Sequence, residues 1–191
     1  MAGYVSDAVI RRLPGYYRHL RELEAAGVTQ ISSQELGKRM QLTPSQIRQD
    51  INCFGGFGRQ GYGYNVSELK GHIGEILGLD RQHQVIIVGA GSIGTAVAHY
   101  PTFSREGFKT LAMFDVAVDK IGSRTNDVPV LALPAAHAQE TLNRLYEGGV
   151  RAIWNFAPTD LNHPDDMIVV NVHLSDSLQI LSYRIAHREE N

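Results

Sequence analysis

A β-branched run, Gln84-Val85-Ile86-Ile87-Val88, leads without a break into Gly89-Ala90-Gly91-Ser92-Ile93-Gly94 and then into a helical pattern reaching about Tyr100. Such a run reads as a strand buried on both faces, which only a sheet covered on both sides can accommodate. A lone GxGxxG is weak evidence, but this one sits between a strand and a helix. A second strand, Leu111-Ala112-Met113-Phe114, ends in Asp115, 26 positions after Gly89. That is the dinucleotide-binding βαβ pattern. Gly89 permits the tight turn, Gly91 lets a pyrophosphate approach the backbone, and Gly94 lets the helix lie close to the strand. Ala90, Ser92 and Ile93 carry the backbone N–H groups between them. Asp115, with Val116 beside it, would accept the ribose hydroxyls and repel a 2′-phosphate, selecting NAD(H) over NADP(H). Leu133-Pro134 and Asn155-Phe156-Ala157-Pro158 follow apolar runs and are candidate strand C-termini, where open α/β sheets place ligands.

The front of the chain has a different pattern. Ser6 begins a helical stretch with Ile10, Leu13, Tyr17, Leu20 and Leu23 on one stripe, a kink or break at Pro14 and a stop at Gly27. Two capping boxes follow, Ser32-Ser33-Gln34-Glu35 and Thr43-Pro44-Ser45-Gln46, opening short helices to about Met40 and Cys53. Two helices joined by so short a turn predict a helix-turn-helix. In the second, Ile47, Ile51 and Phe54 would face inward, and Ser45, Arg48, Gln49 and Asn52 outward. Arg, Gln and Asn are the side chains that read guanine and adenine in a major groove, although a polar helix face alone is more often simply solvated. The next loop, Phe54 to Tyr64, holds five glycines among interleaved aromatics and predicts a wing with Arg59 and Gln60 at its tip. Ser32, Ser33, Thr43, Gln46 and Tyr64 complete the expected DNA-facing set. Ser67 is expected to cap a helix through Leu69, Ile73, Ile76 and Leu77, closed by Gly78, with residues 79–83 as the only linker.

Charge agrees with this division. The net charge of -2 conceals 8 Lys+Arg against 5 Asp+Glu in residues 1–66, so the basic half is the one with the expected DNA face. One cysteine, Cys53, excludes a disulfide framework and reads as small core packing. The eight histidines have no i, i+3 or i+4 pairing, so no metal is expected. No apolar run is long enough to span a bilayer, and the N-terminus lacks a signal-peptide core, so a soluble cytoplasmic protein is expected. Leu142 and Leu145 mark a crossover helix closed by Gly148-Gly149. The stretch from Ser175 to about His187 is amphipathic through Leu178, Leu181 and Ile185, and could lie on its own sheet or reach a second subunit. There is no visible acid–base pair for dehydrogenase chemistry and no length left for a substrate domain, so NAD(H) is expected to be sensed rather than consumed.

Ile10-Arg11-Arg12-Leu13-Pro14, Ile31-Ser32-Ser33, Gln46-Ile47-Arg48-Gln49-Asp50, Phe54-Gly55-Gly56-Phe57-Gly58 through Gly63-Tyr64-Asn65-Val66, the Gly89–Gly94 turn, Asn155–Pro158 and Asn171-Val172 together resemble the Rex family of redox-sensing transcriptional repressors, most closely its clostridia-like branch. The resemblance covers nearly the whole chain. It implies an α/β chain with an N-terminal winged-helix DNA-binding domain (1–80), a Rossmann-type NAD(H)-binding domain (84–172) and a C-terminal helix (173–191) swapped onto the partner of a homodimer. It further implies binding of a palindromic operator when free or NAD+-bound, and release by NADH. Tyr100, with His173 and Leu174 of the partner subunit, would surround the nicotinamide, and Arg12 would serve a phosphate contact or a latch between domains. A small NAD-dependent oxidoreductase and a constitutive DNA-binding protein with a structural Rossmann domain are the rival readings. Three departures stand out against the family pattern: Arg59-Gln60 where many relatives have two basic residues, His173 where many have Asp, and a shortened Val128–Pro134 stretch. The family has roughly a helix and a strand between the halves of that stretch; either a βα unit has been lost or a segment is absent from the sequence as read, and the cost of losing a buried strand favours the second.

Overall fold

The computed structural model describes residues 5–59, 62–117, 119, 124–125, 128–132 and 138–187, with the backbone alone for 59, 124–125 and 128–132. The chain forms two compact units, Met1–Val85 with His99–Leu111, and Ile86–Ala98 with Ala112–Asn191.

The first unit opens with α1 (Asp7–Ala25), which buries Val9, Leu13, Tyr16, Leu20 and Leu23. This stripe is turned from the predicted one: Ile10 is 48% exposed, and Tyr16 takes the inward position expected of Tyr17 because its hydroxyl reaches a buried carboxylate. Nor does Pro14 break the helix. It lies on the exposed face, where water can satisfy the carbonyl that a proline leaves unpaired. The helix does stop at Gly27, where the Gly27 and Val28 N–H groups return to Glu24 and Leu23 carbonyls in a Schellman cap.

After β1 (Gln30–Ile31) come α2 (Ser33–Met40) and α3 (Pro44–Asn52). Ser32 makes the full capping box with Glu35. Thr43 caps α3 by accepting the Gln46 N–H, but the Gln46 side chain does not return to complete a second box. The predicted wing is β2 (Gly58–Arg59) paired antiparallel with β3 (Gly63–Asn65), and β3 pairs in turn with β1, a strand the periodicity did not reveal. The next helix, α4 (Val66–Ile76), is capped by Asn65 rather than Ser67, the Asn65 side chain accepting the Glu68 N–H. Leu36, Ile47 and Val66 are fully buried with Tyr16 and Leu20, so α1, α2, α3 and α4 share one core.

Next are β4 (His83–Val88), α5 (Ser92–Ala98), α6 (Pro101–Arg105) and β5 (Phe108–Asp115). After them β6 (Arg124–Thr125) and β7 (Val128–Ala132) complete a four-stranded sheet of order β4-β5-β7-β6. The shortened stretch is β7 itself, one continuous strand with two allegiances. Its first half pairs antiparallel with β6 (Arg124↔Pro129), and its second half parallel with β5 (Met113↔Val130, Asp115↔Ala132). The chain continues through α7 (Ala138–Glu147) to β8 (Ala152–Asn155) and β9 (Ile168–Asn171), a parallel pair, and ends in α8 (Leu174–Ala186), which buries none of its residues. Among the described residues no helix is long and apolar enough to cross a membrane.

Candidate nucleic-acid interface and nucleotide turn

α3 divides as its spacing predicts. Ile47 and Ile51 are buried, while Ser45, Arg48, Gln49 and Asn52 are exposed together. Arg48 is held between two hydroxyls, its Nη1 donating to Ser33 Oγ at 3.1 Å and its Nη2 to Ser45 Oγ at 3.2 Å. Ser33 and Ser45 therefore steady the side chain that carries the formal charge of this face. Ser32 and Thr43 are occupied as helix caps. The Ser32 N–H and hydroxyl both donate to Glu35 and hold its carboxyl below the usual range.

Three of the expected DNA-facing residues do other work. Tyr64 is 5% exposed in the core, and burial raises its hydroxyl above the ordinary phenol value. Gln46 donates through Nε2 to Asp50 Oδ1 at 2.7 Å. Arg12 pairs with the same carboxylate, Nε to Oδ2 at 2.6 Å and Nη2 to Oδ1 at 2.8 Å, and the Tyr16 hydroxyl adds a fourth bond at 2.9 Å. Asp50 is completely buried. Burial pushes its carboxyl up, but the donors Arg12, Gln46 and Tyr16 outweigh that and leave it below the usual carboxylate range. The Tyr16 hydroxyl is raised by its own burial and by Asp50. Sequence reasoning passed over Asp50, although Arg12 and Tyr16, like Gln46 and Asp50, stand four apart on their helices and so share a face. At the wing, Phe57 stacks on His72 of α4 with ring centroids 4.6 Å apart. Arg59 ends β2, and Gln60 lies outside the described residues.

In the second unit, Gly89 has φ +96°, and its N–H donates to the Phe114 carbonyl at 2.6 Å, joining β4 to β5 at the turn. A Cβ on Gly94 would lie 1.9 Å from the Gly89 carbonyl oxygen, so no side chain can stand there without moving backbone. A Cβ on Gly91 would meet nothing within 4 Å, which leaves the open approach a pyrophosphate requires. Asp115 is drawn to the same turn, Oδ2 accepting the Ala90 N–H at 2.6 Å and Oδ1 the Ala117 N–H at 2.8 Å. Ser92 and Ile93 open α5 on its exposed side, and Val116 is 48% exposed. These residues fit the adenosine diphosphate half of a dinucleotide.

The remaining expected nucleotide contacts are dispersed. Asn155 is 6% exposed and spends its amide on structure: Nδ2 donates to the Thr159 carbonyl and to Asn171 Oδ1, both at 2.8 Å, and Oδ1 accepts the Ala157 N–H at 3.0 Å. It thereby holds the Phe156-Ala157-Pro158 loop against the end of β9. Phe156 packs on Trp154 at 4.5 Å. His173 precedes α8 with Nε2 3.2 Å from Asp160 Oδ1, an oxygen that also accepts Asn171 Nδ2 at 2.9 Å; Leu174 is 58% exposed. Tyr100 belongs to the first unit, where it is 55% exposed and its ring lies 4.9 Å from that of Phe103. Leu133 and Pro134 lie outside the described residues.

Residues 4–52 match the family described as "Putative DNA-binding protein N-terminus", and residues 80–133 match "CoA binding domain". Across its length the chain is 48% identical to the redox-sensing transcriptional repressor Rex of Thermoanaerobacter sp. (strain X514), covering 97% of this chain and 91% of that one. The chain belongs to the Rex family of redox-sensing transcriptional repressors. The Rex of Clostridium perfringens (strain SM101 / Type A) is 45% identical over 97% of this chain and 96% of its own. Among solved structures, RSP in complex with β-NAD+ and operator DNA superposes with a TM-score of 0.89 at 48% identity, covering 98% of this chain and 94% of that one. RSP in complex with β-NADH gives 0.88 at 46%, covering 97% and 96%. The Rex alignments span 204 positions against 191 residues here, so at least 13 positions face a gap in this chain.

Proposed function

We propose that this Rex-family chain is a cytoplasmic homodimeric repressor that binds a palindromic operator when free or NAD+-bound and leaves it when NADH binds. The observation that carries the reading is the coexistence, in one chain, of the exposed Ser45/Arg48/Gln49/Asn52 face and the Gly89–Gly94 turn with Asp115 drawn to it. RSP, at 46–48% identity, has been crystallised with NAD+ and operator DNA and with NADH, which supports the same two ligands here. Arg48, Gln49 and Asn52 read base edges, Ser33 and Ser45 orient Arg48, and Ser32, Thr43, Arg59 and Gln60 are assigned to phosphate contacts. Arg12, Gln46 and Tyr64 act from inside, by fixing α3 and the base of the wing.

The turn from Gly89 to Gly94 takes the pyrophosphate, Asp115 and Val116 the adenosine ribose, and Asn155 shapes the loop of Phe156, Ala157 and Pro158 toward the nicotinamide end. Leu133 and Pro134 are assigned to the nicotinamide, with Tyr100 and with His173 and Leu174 of the partner subunit. The bound dinucleotide supplies a charge on its ring that differs between oxidised and reduced forms, and no hydride is transferred. In α8, Leu178, Ile180, Leu181, Tyr183 and Ile185 are each more than half exposed, which supports a partner subunit as their cover. Linkage requires that NADH bind the operator-free state more tightly, by the same factor by which it weakens operator binding.

Fluorescence anisotropy of a palindromic duplex at fixed salt tests this, with NAD+ and NADH titrated separately. Release by NADH alone is the expected result. Binding indifferent to both nucleotides would favour the constitutive reading, and turnover of NADH with a carbonyl substrate the oxidoreductase. Arg48→Ala is expected to weaken specific binding by about 1–3 kcal/mol and to relax discrimination at the base it reads. Equal operator titrations for the variant and the parent would remove Arg48 from the reading face.

A further inference from the structure

Glu106 and Arg21 are 85 positions apart, yet Arg21 Nη1 donates to Glu106 Oε1 at 2.8 Å within the first unit. We infer that this ion pair is the tether through which the nucleotide-bearing part of the chain acts on the recognition helix, an inference that rests on the redox-repressor reading above.

Glu106 is the residue that closes α6, and Tyr100 is the residue that opens it. A helix of five residues between them leaves no room for one end to move without the other. The far side of this segment is fixed as well. Gly107 has φ +87°, and a Cβ there would lie 2.4 Å from the Arg81 carbonyl oxygen. The Gly107 carbonyl accepts the His83 N–H at 2.7 Å, and the His83 and Phe108 rings stack at 5.1 Å. In sequence, the segment is continuous on one side with α5 and its glycine turn. On the other side it runs into β5, which ends in Asp115. Whatever the dinucleotide does to either neighbour reaches α6 through the main chain.

Arg21 lies on α1, nine residues after Arg12, or roughly 13.5 Å along the axis at 1.5 Å per residue. Arg12 is the residue that grips Asp50 on α3. α1 is uninterrupted between them, since Pro14 does not break it. One continuous helix therefore holds the recognition helix by an ion pair near its start and α6 by an ion pair near its end. The Arg21 and Glu106 side chains are 45% and 25% exposed, a setting in which an ion pair adds little to stability. What it does add is a fixed orientation. Arg21 and Glu106 are positioning residues, acting on DNA through α1, Arg12 and Asp50.

The test uses the full chain with Arg21→Ala, Glu106→Ala, Arg21→Lys and the double charge swap R21E/E106R. Operator affinity is measured by anisotropy at fixed salt, without nucleotide and at saturating NADH, and NADH affinity by calorimetry without DNA. In each alanine variant, nucleotide-free operator affinity and DNA-free NADH affinity are expected within about twofold of the parent. The factor by which NADH weakens operator binding should fall at least threefold, leaving a repressor that lets go incompletely. Opposite charges are removed in the two variants, so a shared loss cannot come from net charge. Arg21→Lys or the charge swap should restore the factor. A parent that responds to NADH while the alanine variants respond equally overturns the tether alone, as does a loss that neither rescue repairs. A parent indifferent to NADH overturns the repressor reading and the tether with it.

Discussion

Asp50→Ala is expected to destabilise the first unit by about 3 kcal/mol, read as a lower urea midpoint, with operator binding lost in parallel. The substitution leaves the Arg12 guanidinium, the Tyr16 hydroxyl and the Gln46 amide without the acceptor they share, and Tyr16 is fully buried. An orphaned buried donor costs more than the bond it once made contributed. The same carboxylate sets an acid limit. Its value is lower in the folded chain than in the unfolded one, so its contribution is complete above about pH 4 and is lost as pH falls through the folded value. Asp50→Asn keeps the shape, removes the charge, and should flatten that acid-side loss of stability. Identical midpoints for Asp50→Ala and the parent would show that the four bonds do not hold α3.

The second large effect separates two glycines three residues apart. Gly94→Ala places a methyl group 1.9 Å from the Gly89 carbonyl oxygen, so the turn must open or α5 must shift. Overpacking of this kind costs about 1–3 kcal/mol, and here it also distorts the N–H groups that would meet the pyrophosphate. Gly91→Ala meets nothing in the protein and should leave thermal stability unchanged, while its methyl group would stand in the approach proposed for the pyrophosphate. Both variants are expected to lose NADH binding by calorimetry at least tenfold, but only Gly94→Ala should also lower the melting temperature. Full NADH affinity in Gly91→Ala would move the pyrophosphate away from this turn.

What was legible in the sequence was local. Caps, glycine stops and the strand–turn–helix all arise within a few residues of one another, and Ser32, Thr43, Gly27 and Gly89 behave as their neighbours dictate. What escaped depended on distant partners. Tyr16 took the fully buried position, leaving Tyr17 half-buried at the edge of the same core, and its hydroxyl reaches a carboxylate 34 residues away. Gln46 left its capping role and the groove face for the same acceptor. β1 is two residues long, too short for any periodicity, and exists because β3 pairs with it. Asn65 won the α4 cap from Ser67 because the helix begins at once where β3 ends, and no residue intervenes for a later cap. At β7 the absence of a crossover was readable, but not the outcome, in which one strand changes partners halfway along.

The two serine hydroxyls around Arg48 have a consequence for how quickly a site can be tried and rejected. An unrestrained arginine samples many rotamers and loses that freedom each time it meets a base. Moored between Ser33 and Ser45, this one has already surrendered much of it. In that proposed role, a wrong base offers no better than the two charge-assisted hydrogen bonds to serine hydroxyls that the guanidinium leaves behind, whereas guanine offers a two-pronged acceptor matched to its plane. In the role proposed for Arg48, the moorings act as an internal competitor against which each base it meets is compared.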